Sequence, residues 1–352
     1  LLRAAREVPG MYVPSLYEVS YKEDGTIASF VPTKEGVPAK ITKEIVMDLD
    51  NAPYPEKPVV PYMKATQDRV VLEIQRGCIR GCRFCQAGQI YKPVRERDVD
   101  FLKEMAVAML KNTGHEEISL SSLSSSDYSK LDELLEFLIE TYHGKGVNVS
   151  LPSLRVDQFS LDVMSKVQDV RKSSLTFAPE AGSQRLRDVI NKGLTEENIL
   201  NGCDLAFKGG WNKVKLYFML GLPTETEEDF SDTLDLVRKV RYSNAFTFIY
   251  SVRKGTAAAT MPQIDYQTKR RRITELIALQ NEITKQLSEE YIGNVYEVLI
   301  EDVNKKYKNA VCGRTESGRL VSCVGDPSLI GTFQNILITE ARSASLFGKI
   351  VE

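Results

Sequence analysis

The stretch Val70-Val71-Leu72-Glu73-Ile74, followed by Gly77-Cys78-Ile79-Arg80-Gly81-Cys82-Arg83-Phe84-Cys85, decides the reading of this chain. A short apolar run bounded by a glycine turn predicts a buried strand. The three cysteines stand on the loop that leaves it. Beyond them the pattern repeats. Phe101, Leu102, Met105, Met109 and Leu110 recur at helical spacing, then Ile118-Ser119-Leu120 predicts a strand. Leu131, Leu134, Leu135 and Leu138 mark a helix that Gly144 can end, and Val147-Asn148-Val149-Ser150-Leu151 predicts the third strand. Leu161, Met164, Val167 and Val170 trace a helix before the strand at Ser174-Leu175-Thr176-Phe177, and another helix follows Gly182. A fifth strand spans residues 214–220. Its helix carries Phe230, Leu234, Val237 and Val240, with Thr224 or Thr226 as cap, and residues 246–250 predict a sixth strand. Strict strand–helix alternation gives parallel strands with right-handed crossovers. Six units are too few for the eight of a complete barrel, so the expected fold is an open, partial (β/α)6 barrel. In such a fold the chemistry sits at the C-terminal strand ends, where the cysteines fall.

The spacing C-x3-C-x2-C has a chemical meaning. A 4Fe–4S cluster has four irons and takes four thiolates when fully ligated by protein. Three thiolates on one tight loop bind three irons and leave the fourth open. Gly77 and Gly81 let the loop turn back, and Arg80 and Arg83 would balance its negative charge. Two other readings exist. Zinc asks for a fourth ligand, but the next cysteine, Cys203, is distant and lies on a predicted helix. A thioredoxin-like reading of Cys82 and Cys85 leaves Cys78 unexplained.

The 352 residues suffice for one large catalytic domain and a small appendage. Hydrophobic residues at 42% and charged residues at 27% are ordinary for a globular chain, and a net charge of −2 does not advertise nucleic acid or an anionic membrane. No apolar run approaches the roughly 18 residues of a membrane span. Three of six cysteines crowd into one loop, which argues for a metal site in a reducing compartment, the cytosol, over a disulfide framework. The start, Leu1-Leu2-Arg3-Ala4-Ala5-Arg6, has no initiator Met or signal core and reads as the middle of a longer chain. His115 and His143 lie near predicted helix ends. There is no Ser–His–Asp arrangement, Walker A or Rossmann glycine pattern.

Four segments are expected. Residues 1–66 are broken by prolines and read as an irregular extension, with a polyproline-like tract at 54–61. Residues 67–262 form the partial barrel. Residues 263–291 form a connecting helix that opens on Lys269-Arg270-Arg271-Arg272. Residues 292–352 carry short apolar runs between Gly and Asp turns and predict a small antiparallel β-barrel.

The cysteine spacing, the aromatic Phe84 before the third cysteine and the six-unit pattern together resemble the radical S-adenosylmethionine (SAM) superfamily. The resemblance implies that the open iron chelates SAM, which is cleaved reductively to abstract hydrogen. It places Phe84 near the adenine. The methionine amine would be received at 121–127, with Ser124, where the family usually has a Gly-Gly-Glu-like segment. Glu180 would meet the SAM amine or ribose, Arg155 the carboxylate, and Gly221 opens the adenine-contacting turn. A reductant such as flavodoxin or ferredoxin is implied.

Finer resemblance divides the chain. Residues 1 to about 228 are similar to radical SAM proteins that usually carry an upstream cobalamin-binding domain, at residues 10–17, 76–97 (with Gln86-Ala87-Gly88) and 176–193. That family's substrate is poorly defined, and cobalamin enters only through it, since the chain carries no such domain. From about residue 221 the chain is similar to tRNA methylthiotransferases, at Ala245-Phe246-Thr247-Phe248-Ile249-Tyr250-Ser251, Arg253-Lys254-Gly255-Thr256, Leu279-Gln280-Asn281-Glu282-Ile283 and Gly313-Arg314-Thr315. Its last segment resembles their RNA-binding TRAM domain, which implies phosphate contacts at Lys305, Lys306, Lys308 and Arg314. Two features stand apart from that family. No cysteine precedes Cys78 to build a second cluster, and residues 287–352 hold seven Lys/Arg against nine Asp/Glu. The leading expectation is a radical SAM enzyme that modifies tRNA adenosine. The alternatives are a cobalamin-associated enzyme of undefined substrate and a non-catalytic RNA-binding module.

Overall fold

The structure, a computed structural model, describes residues 1–63, 65–158, 175–211, 213–342 and 345–351. Two compact units result, Leu1–Tyr54 and Pro55–Glu352.

The first unit corrects the expectation of an irregular extension. Strands β1 (Tyr17–Tyr21) and β2 (Ile27–Pro32) form an antiparallel hairpin. Tyr17 stacks on Phe30 at 4.8 Å, and Tyr12 lies 5.2 Å from Tyr17. The prolines do not prevent it, because only Pro32 falls within a strand and it stands at the last position. Gly25, at φ +79°, makes the turn.

In the second unit, β3 (Val70–Glu73), β6 (Glu117–Ser121) and β7 (Asn148–Ser150) run parallel, with Val71 opposite Ser119 and Ser119 opposite Ser150. β8 (Leu175–Glu180) and β9 (Val214–Phe218) form a second parallel pair, and β4 (Gln75–Arg76) and β5 (Arg95–Glu96) a short antiparallel one. Alternation sorts the two strand faces. Val70, Leu72, Ile118, Leu120 and Val149 are buried, while Val71, Ser119, Ser121 and Ser150 lie on the other face. That second face is largely polar, unlike a strand covered on both sides. The expected sixth strand is reduced to one parallel bridge, Leu220 to Ile249, with Tyr250 N donating to Leu220 O at 2.8 Å. The helix expected on Leu161, Met164, Val167 and Val170 lies outside the described residues.

The helices follow their sequence signals. Val99–Thr113 starts on Asp98, whose carboxylate accepts from Asp100 N and Phe101 N, and ends on Gly114 at φ +69°. Leu131–Tyr142 ends on His143. Glu227–Val240 is capped by Thr226, the second of the two candidates, in a capping box with Asp229. Tyr266–Glu289 is the long connecting helix.

The last segment is a closed barrel of β10 (Val295–Val303), β11 (Ala310–Thr315), β12 (Leu320–Val324), β13 (Phe333–Ala341) and β14 (Leu346–Ile350), in the order β10-β11-β12-β14-β13. All pairs are antiparallel except β12–β14, which is parallel. Val298, Ile300, Val311, Val321, Ile336, Ile338 and Leu346 fill it. Gly313 faces the bulged part of β10. A Cβ there would stand 1.9 Å from Leu299 O, so only glycine lets the strands approach.

Candidate metal centre and cofactor site

The cysteine loop is shaped by its glycines. Gly77 has φ +98°, and a Cβ on it would lie 2.7 Å from Tyr91 O and 2.9 Å from Pro93 O. Two sulfurs already accept backbone hydrogen bonds. Arg80 N donates to Cys78 Sγ at 3.5 Å, and Gly88 N to Cys85 Sγ at 3.3 Å, where Cys85 caps the Gln86–Ile90 helix. Burial pushes the Cys82 thiol up. Cys85 and Cys78 add to that rise, and Lys192 and Arg155 oppose it.

Three other loops hold this one in place. From the loop after β6, Asp127 takes the Arg80 guanidinium through both oxygens, with Nε at 2.8 Å from Oδ2. From the segment after the Gln184–Val189 helix, Ile190 O accepts from Arg83 N at 2.9 Å, and Asn191 Nδ2 donates to Gly81 O at 3.1 Å. From the segment after the sixth run, Ala258 N donates to Arg83 O at 2.9 Å, and Gln86 Nε2 donates to Lys254 O at 3.0 Å. Arg80 thus reaches Asp127, and Arg83 Nη1 reaches Val189 O at 2.6 Å.

The remaining expected residues divide. Phe84 packs on Ala181, Leu186, Ile190, Leu222, Tyr250 and Ala258 beside the loop. Glu180 ends β8 at a bulge with φ +73°, a backbone state that costs an ordinary residue about 1–2 kcal/mol. Its carboxyl is pushed up by burial, against Lys192, whose Nζ stands 3.3 Å from Oε1. The serine run at 121–127 is a brace, since Ser125 Oγ donates to Pro152 O at 2.6 Å and Ser126 Oγ accepts from Arg155 N at 3.1 Å. Ser124 is buried in it, and its carbonyl accepts from Gln75 Nε2 at 2.7 Å. Arg155 is buried and holds Asp157 through Nε and Nη2 at 2.9 and 3.0 Å, so its guanidinium is engaged within the protein. Gly221, at φ +73°, faces the long helix. A Cβ there would meet Lys269 Cγ at 2.6 Å, and its N donates to Glu225 Oε2 at 3.0 Å.

Sequence reasoning missed Asn191 and Lys192. Asn191 sits at φ +53°, and asparagine is a common choice for the left-handed region. That Asn-Lys-Gly ending was the available signal. Half of the basic start of the long helix is turned inward, while Arg270 and Arg271 stay exposed. Lys269 and Arg272 are buried, Arg272 pairs with Glu225 at 2.6 Å, and Arg271 pairs with Glu227 at 2.6 Å. On the small barrel Lys305, Lys306 and Lys308 are exposed together between β10 and β11, while Arg314 has Glu301 at 3.4 Å. Cys203 lies on the Glu196–Lys208 helix, Cys312 on β11 and Cys323 on β12, so they do not add to the loop.

Among the described residues no three His, Cys, Asp or Glu side chains converge tightly enough for a single ion. The donor set on the loop is three thiolates with no fourth cysteine beside them, which suits a 4Fe–4S group with one open iron and leaves a tetrahedral zinc one ligand short. No described helix is long and apolar enough to cross a membrane.

Comparison with known proteins agrees with this assembly. Residues 72–237 match the Radical SAM superfamily, and residues 289–351 match the TRAM domain. The tRNA-2-methylthio-N(6)-dimethylallyladenosine synthase of Thermoanaerobacter pseudethanolicus is 33% identical over 305 residues, which is 83% of this chain and 64% of that one. The protein of that name from Carboxydothermus hydrogenoformans is 33% identical over 305 residues, 83% of this chain and 68% of its own. An uncharacterized protein of Methanocaldococcus jannaschii is 44% identical over 171 residues, 49% of this chain and 37% of its own. The chain thus spans 64% of the first relative's length. By this identity and coverage, the chain belongs to the radical SAM superfamily, within the family of the tRNA-2-methylthio-N(6)-dimethylallyladenosine synthases, and carries a TRAM domain over residues 289–351.

Proposed function

We propose that Cys78, Cys82 and Cys85 ligate a 4Fe–4S cluster and that the chain uses it with SAM to abstract hydrogen from a tRNA adenosine, in the manner of its methylthiotransferase relatives. The observation that carries the reading is the cysteine loop itself, with two N–H···S bonds and anchors from three other loops. A cluster with one open iron supplies the electron that breaks a C–S bond of SAM. The chain's residues do the rest. Phe84 and its apolar neighbours exclude water from one side of the loop. Glu180 and Lys192 present a buried carboxylate and ammonium suited to the amino-acid end of SAM. Lys305, Lys306 and Lys308 are placed to meet RNA phosphates, with Arg314 beside them. The free thiols suit a reducing cytosol, where a flavodoxin or ferredoxin would deliver the electron.

Anaerobic reconstitution tests this. About four irons per chain, 5′-deoxyadenosine formed with dithionite, and loss of both in Cys82→Ala are expected. A Cys82→Ala protein that keeps its iron would refute the ligand assignment, and about eight irons would mean a second cluster. Filter binding of tRNA at two salt concentrations, with and without residues 287–352, tests the RNA partner.

A further inference from the structure

The open end of the partial barrel carries a feature that the cluster chemistry leaves unused. On β9 the two faces are unlike. Leu220, just beyond the strand, packs into the helix layer with Phe230, Leu234, Val237, Leu276 and Ile283. Met219 faces the other way and packs against the buried cluster that includes Tyr250, on which Phe84 of the cysteine loop also packs. Residues two apart share a face in an extended chain, so Tyr217 and Lys215 lie on the Met219 side. On the neighbouring segment Ile249 bridges Leu220, so its immediate neighbours Phe248 and Tyr250 point to the other side, and Phe246 precedes Phe248 by two residues. Among the described residues these rings are exposed. Tyr217 is 45% exposed, Phe248 70% and Phe246 75%. A single exposed ring is ordinary, but three on adjacent segments facing a catalytic loop are a surface with a purpose.

The charge says what the surface is for. From Gly209 to Thr224, and from Tyr242 to Ile264, the sequence holds no Asp or Glu, yet it holds Lys213, Lys215, Arg253 and Lys254. In a chain of net charge −2 this is a local positive island. Lys215 Nζ lies 4.8 Å from the Tyr217 ring centroid. Arg253 and Lys254 are exposed at the end nearer the cysteine loop, where Lys254 O accepts from Gln86. They carry no carboxylate partner among the described residues. Aromatic faces interleaved with cations are what an unpaired nucleotide recognises, its base by stacking and its phosphate by charge. We propose that Tyr217, Phe246 and Phe248 form a stacking wall for an unpaired base of the RNA, with Lys215, Arg253 and Lys254 holding the adjoining phosphates. This rests on the RNA reading above and adds the place where the strand is held beside the cluster.

The test uses the full chain and fluorescence anisotropy with two labelled RNA nonamers, one of adenosines and one whose three central nucleotides are abasic. The wild type should prefer the adenosine nonamer by about tenfold or more, the lower part of the range for base–aromatic stacking. Phe246→Leu/Phe248→Leu keeps apolar bulk but removes stacking, and the preference should collapse toward unity. Phe246→Trp/Phe248→Trp should retain it. Arg253→Gln should weaken both nonamers alike and reduce the salt slope by about 0.7. A Leu variant that keeps the preference overturns the wall. So does a dimer that becomes monomeric in the Leu variant, since the rings would then be a contact between copies. Equal wild-type binding of both nonamers removes the wall and leaves the RNA reading standing. No binding of either at low salt removes both.

Discussion

Arg272 should be the most costly single residue to remove from the seam between the barrel and the long helix. Its side chain is 3% exposed and that of Glu225 is 1% exposed, with 2.6 Å between Nη1 and Oε2. Glu225 also accepts from Gly221 N, so the same carboxylate fixes the turn after β9. Arg272→Ala leaves that carboxylate buried beside one N–H donor. Breaking a buried pair in this way costs about 3–5 kcal/mol. The pH dependence follows from burial, which holds the Glu225 carboxyl above its ordinary range while Arg272 and the Gly221 N–H pull it down. A carboxyl whose folded value is raised contributes stability below its unfolded value and loses it as pH rises through the folded one. Without Arg272 the folded value rises further, so the variant should lose more against wild type at pH 7 than at pH 5. Adding Glu225→Gln to Arg272→Met should restore much of the loss, because neither member of this pair is then left buried and charged without the other. Urea denaturation followed by far-UV circular dichroism at the two pH values, with m-values compared, reads all three proteins. A loss below about 1 kcal/mol, or an equal loss at both pH values, would refute the reasoning.

Asp229 is held down to about 2 despite burial, which raises it, by Arg185, Ser183 and Thr226. A lowered carboxyl stabilises above its unfolded value, so wild-type stability should fall between about pH 4 and pH 2. Asp229→Asn should remove about 2 kcal/mol near neutrality and flatten that fall, as pH-dependent urea melts would show. Gly221→Ala should cost more than Gly331→Ala. Both alanines must adopt positive φ, but a Cβ on Gly221 also meets Lys269 whereas Gly331 has open space. Equal urea midpoints for the two variants would contradict this. Asn191→Ala removes one short and one long hydrogen bond to the cysteine loop, at 3.1 and 3.4 Å. At about 0.5–1.5 kcal/mol for a typical bond, the apo-protein melt should fall, and reconstituted iron–sulfur absorbance should bleach several-fold faster under chelator.

How far the sequence could be read depended on the distance over which each signal acts. The cysteine loop and its flanking strand were legible because three thiols and two glycines speak within nine residues. The helix start at Thr226 was legible for the same reason, since the cap acts within its own first turn. The hairpin at Tyr17 and Phe30 was missed because proline density was weighed above the alternation between the prolines. The sixth strand was overstated. Residues 246–250 have the right composition, but a strand needs a run of successive backbone pairs, and among the described residues only Ile249 with Leu220 makes one. The resemblance puts Arg155 at the SAM carboxylate; the ion pair it makes with Asp157, two residues on, depends on how the chain turns there, which the sequence does not show. The basic start of the long helix read as a surface for the reason that its acids, Glu225 and Glu227, lie some forty residues upstream. Asn191 was missed because its partners, Arg80 and Gly81, lie more than a hundred residues away.

The closure of β13 onto β10 gives the small barrel a mechanical character that the larger fold lacks. In a ring of five strands every backbone amide on the ladder has neighbours on both sides, so no strand can peel away without breaking two ladders at once. Amide exchange from its core strands should therefore proceed through opening of the module as a whole. Among the described residues the strands of the partial barrel fall into separate two- and three-stranded pieces, with one bridge carrying β8–β9 on to Ile249, so it can open strand by strand from its free edges. The chain thus joins a module expected to exchange as a unit to a larger fold expected to exchange piecemeal.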